Sequence, residues 1–207
     1  MAGAPHDHPV ALARMFSRPI LVLDTETTGL DPVADSIIDI AAILLDPETL
    51  AERKVFRSAV RPTSPINEGA RRVHGLTAEA LATAPSVEEV VRSLAGSTPA
   101  SAILCGHNVA FDVGFLQHAF RRSAIEWPFD YHYLDTWTIA FFVLGARAVK
   151  APGYSLSNLC SLFGIPREAK HSALEDARAV CAILRHLYAF VRGDQMEVLG
   201  QLHLRLP

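Results

Sequence analysis

The sequence predicts one α/β domain of three layers built on a mixed five-stranded sheet. Three strand-like apolar runs come first, and then strand-like and helix-like segments alternate, which is the order expected of helices packed on both faces of a mixed sheet. The chain has 207 residues, of which 50% are hydrophobic, enough for one substantial core.

In order, PILVLD (19–24) reads as a central strand, IIDIAAILL (37–45) as a second and RKVFRSAV (53–60) as a third, with DPETL turning the chain between the last two. Helical patterns follow at 77–83 and 86–95, then the apolar strand AILCG (102–106) and a helix over 109–122. YHYLD (131–135) is a fifth short strand, and helices are expected over 136–144, 155–163 and 172–192. Residues 1–18 then form an extension, 19–192 the domain, and 193–207 a tail that either packs on the domain or serves as a docking segment.

A net charge of −3 and a pI near 6.3 give no broad positive field, so any nucleic acid must be engaged locally. Without a long apolar run or the pattern of a secretory signal, a cytoplasmic protein with no membrane partner is expected. Cys105, Cys160 and Cys181 lack CxxC spacing and sit among apolar residues, so they read as reduced core thiols.

Three placements of acid are unusual. Asp24 and Glu26 stand two residues apart at the end of the first apolar strand, so their carboxylates share one face and repel. Ser172 as N-cap with Glu175 three residues on sets the register of the last helix, placing Asp176 in line with Val180, Ile183 and Leu187. The helix from about residue 109 puts Asp112 on the face of Phe115, Leu116 and Ala119. A buried carboxylate becomes protonated, pairs with a cation or binds a metal, and lysine occurs only at 54, 150 and 170. Four inward acids fit an oxygen-rich site for Mg²⁺ or Mn²⁺, although each helix acid alone could be a partly solvated partner of its helix dipole. Asp135, another strand-end acid, rivals Asp112 for that site on these grounds. His171 lies just before the Asp176 helix, where an imidazole near its ordinary pKa of about 6.5 can accept a proton from an attacking water at neutral pH.

LDTETTGL, HNVAFD (107–112) and HSALED (171–176) resemble, in order and spacing, the three motifs of the DEDDh, or DnaQ-like, 3′-to-5′ exonucleases, a group that includes polymerase proofreading subunits, RNase T and oligoribonuclease. VHGLT (73–77) resembles a further segment of that family, and the likeness covers about residues 19–190. The resemblance implies a ribonuclease-H-like fold and hydrolysis at a 3′ end that releases nucleoside 5′-monophosphates. It selects Asp112 over Asp135, which is left as the N-cap of the next helix. It assigns two divalent ions to Asp24, Glu26, Asp112 and Asp176 and the general base to His171. It also places Thr25, Thr27, Leu30, His74, Asn108 and Phe111 around the terminal nucleotide, against alternatives in which Leu30 is a core residue and His74 a turn residue. His107 is expected to shape the turn into the helix. The basic groups at Arg71 and Arg72, Arg121 and Arg122, and Arg167 and Lys170 are candidates for tracking a phosphate backbone, or simply solvated faces.

Other chemistries fit less well. DTETT has Glu26 where a DxDxT phosphatase nucleophile motif has its second Asp, DTE is not the DTG of aspartic proteases, and no GxxxxGK[ST] loop is present. A non-catalytic 3′-end-binding subunit has no need of four acids and His171. Within the nuclease reading, proofreading or end trimming of DNA stands beside an exoribonuclease or oligoribonuclease, and the partner is a 3′ end of single-stranded or frayed DNA or of RNA, with a polymerase subunit or a second copy as protein partner.

Overall fold

The computed structural model describes residues 18–167 and 172–192, with the Arg192 side chain excepted. The extension before Arg18, the tail after Arg192, Lys170 and the expected base His171 therefore lie outside the described residues.

Five strands form one sheet in the order β3-β2-β1-β4-β5. The strands are β1 (Ile20–Thr27), β2 (Ile37–Leu45), β3 (Glu52–Ala59), β4 (Ile103–Gly106) and β5 (Tyr133–Asp135). The β1–β2 and β2–β3 pairs are antiparallel, while β1–β4 and β4–β5 are parallel. Among the described residues six helices accompany them: α1 (Glu68–His74), α2 (Val87–Ser97), α3 (Ala110–Arg122), α4 (Thr136–Ala146), α5 (Leu156–Phe163) and α6 (Ala173–Arg192).

The apolar runs of β1 and β2 exist because both faces of the sheet are covered. Leu21, Leu23, Ile40 and Ala42 pack under α2 and α3, against Val90, Leu94, Phe115 and Leu116. Their neighbours Ile20, Val22, Ala41 and Ile43 point the other way, onto Ala177, Val180 and Cys181 of α6. Behind α6, α4 and α5 close a third cluster through Ala140, Leu144, Leu159 and Ile183. All three cysteines are buried and free, as expected, and burial pushes the Cys181 thiol up to about 12.

Local chemistry fixes the helix starts. Ser86 and Glu89 form a reciprocal capping box on α2, and Asn67, Asp135 and Ser155 accept from the first turns of α1, α4 and α5. The parallel strands β1, β4 and β5 all end on one edge of the sheet, at Thr27, Gly106 and Asp135, and the crevice outside such carboxyl ends is where open α/β sheets place ligands.

Three elements differ from expectation. Residues 78–83 form turns instead of a helix, with Leu81 N–H bonded to Thr77 and Ala82 N–H to Glu79, because i→i+4 and i→i+3 bonds mix within one short segment. The seven-residue α1 had no counterpart in the sequence reading; Asn67 starts it and Gly75, at φ 72°, stops it. His74 is thus its last residue, not part of a turn. β1 also runs through the acids to Thr27, with a register irregularity between Glu26 and Thr27.

Candidate active site

β1 presents Asp24 and Glu26 on one face, and the first turn of α6 brings Asp176 to them. One carboxylate oxygen from each of the three lies within 4.8 Å of the others. Asp112, in the first turn of α3, is tied to the same strand: its Oδ1 accepts from the Thr25 N–H at 2.9 Å and from the Thr25 hydroxyl at 2.7 Å. Asp135 instead accepts from the Trp137 N–H at 2.9 Å, as a helix cap.

Burial and crowding shift three acids of this group. Burial, then the charges of Asp112, Asp176 and Glu26, hold the Asp24 carboxyl well above its ordinary range. Burial raises Glu26 to about 7, helped by Asp176, Asp39 and Asp112, and burial raises Asp112 to about 7 against the opposing hydrogen bonds from Thr25. Such a cluster of hard, desolvated oxygens fits divalent cations of the Mg²⁺ or Mn²⁺ type.

The sign of the resulting pH dependence follows. Between the ordinary carboxyl range and about 7, the folded metal-free protein binds protons that the unfolded chain has released, so its stability falls as pH rises through that window. The melting temperature in EDTA is expected to drop between about pH 5 and pH 8. Added Mg²⁺ or Mn²⁺ should flatten the slope, with the larger thermal gain at the higher pH. A flat or rising profile in EDTA would count against the crowded-acid account.

Arg167, four residues after α5, was an unspecified backbone-tracking candidate in the sequence and proves to belong to this site. Its Nη2 lies 2.7 Å from both oxygens of Asp176, its Nε lies 3.0 Å from Oδ1, and Nη1 donates to Ser157 Oγ at 2.5 Å. Its charge lowers the pKa of Asp24 and Glu26, opposing their mutual repulsion. Arg167→Ala should cost the metal-free protein about 3–5 kcal/mol, since removal of one partner of a buried pair leaves a buried charge. Loss of a competing cation should also tighten Mn²⁺ binding several-fold, as titration calorimetry would read; unchanged affinity would place the guanidinium outside the metal's competition.

Beside the acids lies a cavity of about 310 Å³ whose walls include Thr25, Glu26, Thr27, Leu30, His74 and Phe111. Leu30 is 83% exposed, which overturns the core alternative, and it stands at the mouth of the cavity. His74 is buried, accepts the Leu76 N–H on Nδ1 at 3.0 Å, and so carries its proton on Nε2. That Nε2 sits near the Thr27 backbone and has no hydrogen-bond partner among the described residues, while burial lowers the imidazole pKa. The Thr27 hydroxyl is committed to the Gly29 carbonyl at 2.6 Å. Asn108 is not among the cavity's walls: it holds φ 61°, donates its N–H to Asp135 at 3.1 Å, and leaves its side chain exposed. The Thr136 hydroxyl donates to the Gly106 carbonyl, so His107 Nδ1 donates to Thr136 at 3.0 Å and braces the turn.

Asp39 was also overlooked. It lies opposite Glu26 in the β1–β2 register, is buried, and pairs with Arg57 at 3.3 Å through Oδ2, while its Oδ1 has no partner among the described residues. An acid interrupting the run IIDIAAILL was the available signal. Arg71, Arg72, Arg121 and Arg122 are exposed, and Arg72 pairs with Glu68. Among the described residues no helix is long and apolar enough to cross a membrane.

Comparison with known proteins places these features. The exonuclease family model RNase_T matches residues 21–184. A DNA polymerase III subunit epsilon-like protein of Rhodobacter capsulatus is 39% identical over 183 residues, which is 87% of this chain and 25% of that protein. The PolC-type DNA polymerase III of Thermotoga petrophila is 31% identical over 164 residues, 79% of this chain and 11% of the relative. The chain thus spans a quarter or less of these two relatives. In fold, E. coli Exonuclease I in complex with a dT13 oligonucleotide superposes with a TM-score of 0.75 at 20% identity, over 86% of this chain and 42% of the other.

Proposed function

The chain belongs to the DnaQ-like exonuclease family, and on that premise we propose that it removes nucleoside 5′-monophosphates one at a time from a nucleic-acid 3′ end. The observation that carries this is the convergence of Asp24, Glu26 and Asp176 within 4.8 Å, with Asp112 locked alongside, next to a cavity of about 310 Å³.

In this reading Asp24, Glu26, Asp112 and Asp176 would hold two divalent ions. Bound there, the ions supply charge to the scissile phosphate and lower the pKa of the attacking water. Thr25 fixes the orientation of Asp112 through two hydrogen bonds. The cavity takes the terminal nucleotide, with Leu30 and Phe111 giving sequence-tolerant apolar contact and His74 Nε2 donating to it. His171, assigned from the motif HSALED, takes the proton of the attacking water.

The epsilon-like and PolC-type relatives support proofreading beside a DNA polymerase, and Exonuclease I with its oligonucleotide supports a single-stranded DNA end. Digestion of a labelled single strand, a duplex with a mismatched 3′ end and a short RNA, side by side, tests the choice. Release of mononucleotides that requires Mg²⁺ or Mn²⁺ is expected, and its absence on all three substrates would sink the proposal.

A further inference from the structure

The described surface carries an aromatic ridge for which the site so far has no use. Trp137 and Phe141 lie parallel on α4, with ring centroids 5.5 Å apart and planes 6° apart. Tyr154, just before α5, meets both edge-on at 5.7 and 5.4 Å. Trp137 is 42% and Phe141 54% exposed, so the three rings brace one another while leaving apolar surface open to water.

The ridge stands on the rim that holds the acids. Asp135 Oδ1 accepts both the Trp137 N–H and the N–H of Asn108, in the turn that launches α3 with Phe111 and Asp112. Thr136 bridges His107 to Gly106, and the Tyr154 backbone lies against the His107 imidazole. The segment bearing the ridge is also free of acids: from Thr136 to Arg167 there is no Asp or Glu, but there are Arg147, Lys150 and Arg167, in a chain of 22 acids.

We propose that Trp137, Phe141 and Tyr154 form a stacking platform for the unpaired bases of a single-stranded nucleic acid, upstream of the 3′ end held at the acids. The platform rests on the exonuclease reading, because that reading requires a strand to leave the site and the ridge borders the turn that carries Asp112. A chain of net charge −3 with a dense acidic centre repels a polyanion, and stacking supplies grip that does not depend on a positive field. Preformed rings lose little side-chain freedom when a base lands on them. The acid-free flank lets the phosphates pass without added repulsion.

The full chain is compared with Trp137→Ser/Phe141→Ser and with Phe142→Ser, a control on the same helix whose ring is 74% exposed and lies outside the stack. Two probes are used: fluorescent twelve-residue oligothymidylate or oligouridylate in EDTA, read by anisotropy, and the p-nitrophenyl ester of thymidine 5′-monophosphate with Mn²⁺, which has no upstream base. The double variant should bind the oligonucleotides at least about tenfold more weakly and hydrolyse the ester at the parental rate, with the control unchanged in both. In Trp127→Phe, which leaves Trp137 as the sole tryptophan, oligothymidylate should quench the emission, an arm that stands even if the double variant does not fold. Unchanged oligonucleotide affinity or absent quenching overturns the platform. So does a parental dimer that the double variant dissociates while binding the oligonucleotides normally, since the ridge would then join two copies. A parental chain that with Mn²⁺ leaves both the ester and the oligonucleotides intact removes the exonuclease reading instead, and the anisotropy arm still decides the platform.

Discussion

Asp24→Asn is expected to lower mononucleotide release by at least about 10³-fold while making the metal-free protein more stable. The first effect follows from the position of Asp24, buried where the charges of Asp112, Asp176 and Glu26 all bear on it, at the centre of the acids that would hold the metal. Charge stabilisation by bound metal is worth several kcal/mol of the barrier, which corresponds to about three decades of rate. The second follows from the same place: an amide of equal shape replaces a carboxyl whose ionisation burial and the neighbouring charges oppose in the metal-free site. A gain of about 1 kcal/mol would raise the melting temperature in EDTA by about 2–4 °C for a domain of this size. A residue needed only for packing would lose rate and stability together, so a lower melting temperature with lost activity would argue that Asp24 is structural. Rate and stability moving in opposite directions is the signature of a site strained for function.

The parts of this site that were legible in the sequence were those with a period. Strand alternation put Asp24 and Glu26 on one face, and helical phase put Asp112 and Asp176 inward, where the structure finds both acids buried. The sheet could be read because β1 and β2 are almost continuously apolar. What failed to show were contacts made across loops. Arg167 reaches Asp176 from outside any helix or strand, and no spacing rule links an arginine nine residues upstream to a helix face. Asp39 belongs beside Glu26 only once the antiparallel register is known. The helix α1 was too short for a period, with Gly69 inside it, whereas the false helix at 77–83 had the right residues but ran into Pro85. Asn108 was assigned to the cavity by its motif, yet a left-handed backbone turns it away.

His171→Ala should reduce turnover by about 10²–10³-fold and leave metal binding intact. The difficulty in reading its pH profile is that two titrations overlap. Glu26 and Asp112, both raised to about 7 without metal, hold protons in the window where an ordinary imidazole gains one. Both lower the rate as pH falls, but they do so differently. Protons on the acids compete with cations, so their effect shifts to lower pH as Mn²⁺ is raised and vanishes at saturation. A proton on the base does not compete with metal, so that limb persists. At saturating Mn²⁺ the wild-type rate should therefore still fall below the imidazole pKa, whereas the small residual rate of His171→Ala should be level there. The variant should also keep the thermal gain on metal addition, because it retains all four acids. Near-normal turnover at neutral pH, or an acid limb that survives the substitution under saturating metal, would move the general-base role to another group.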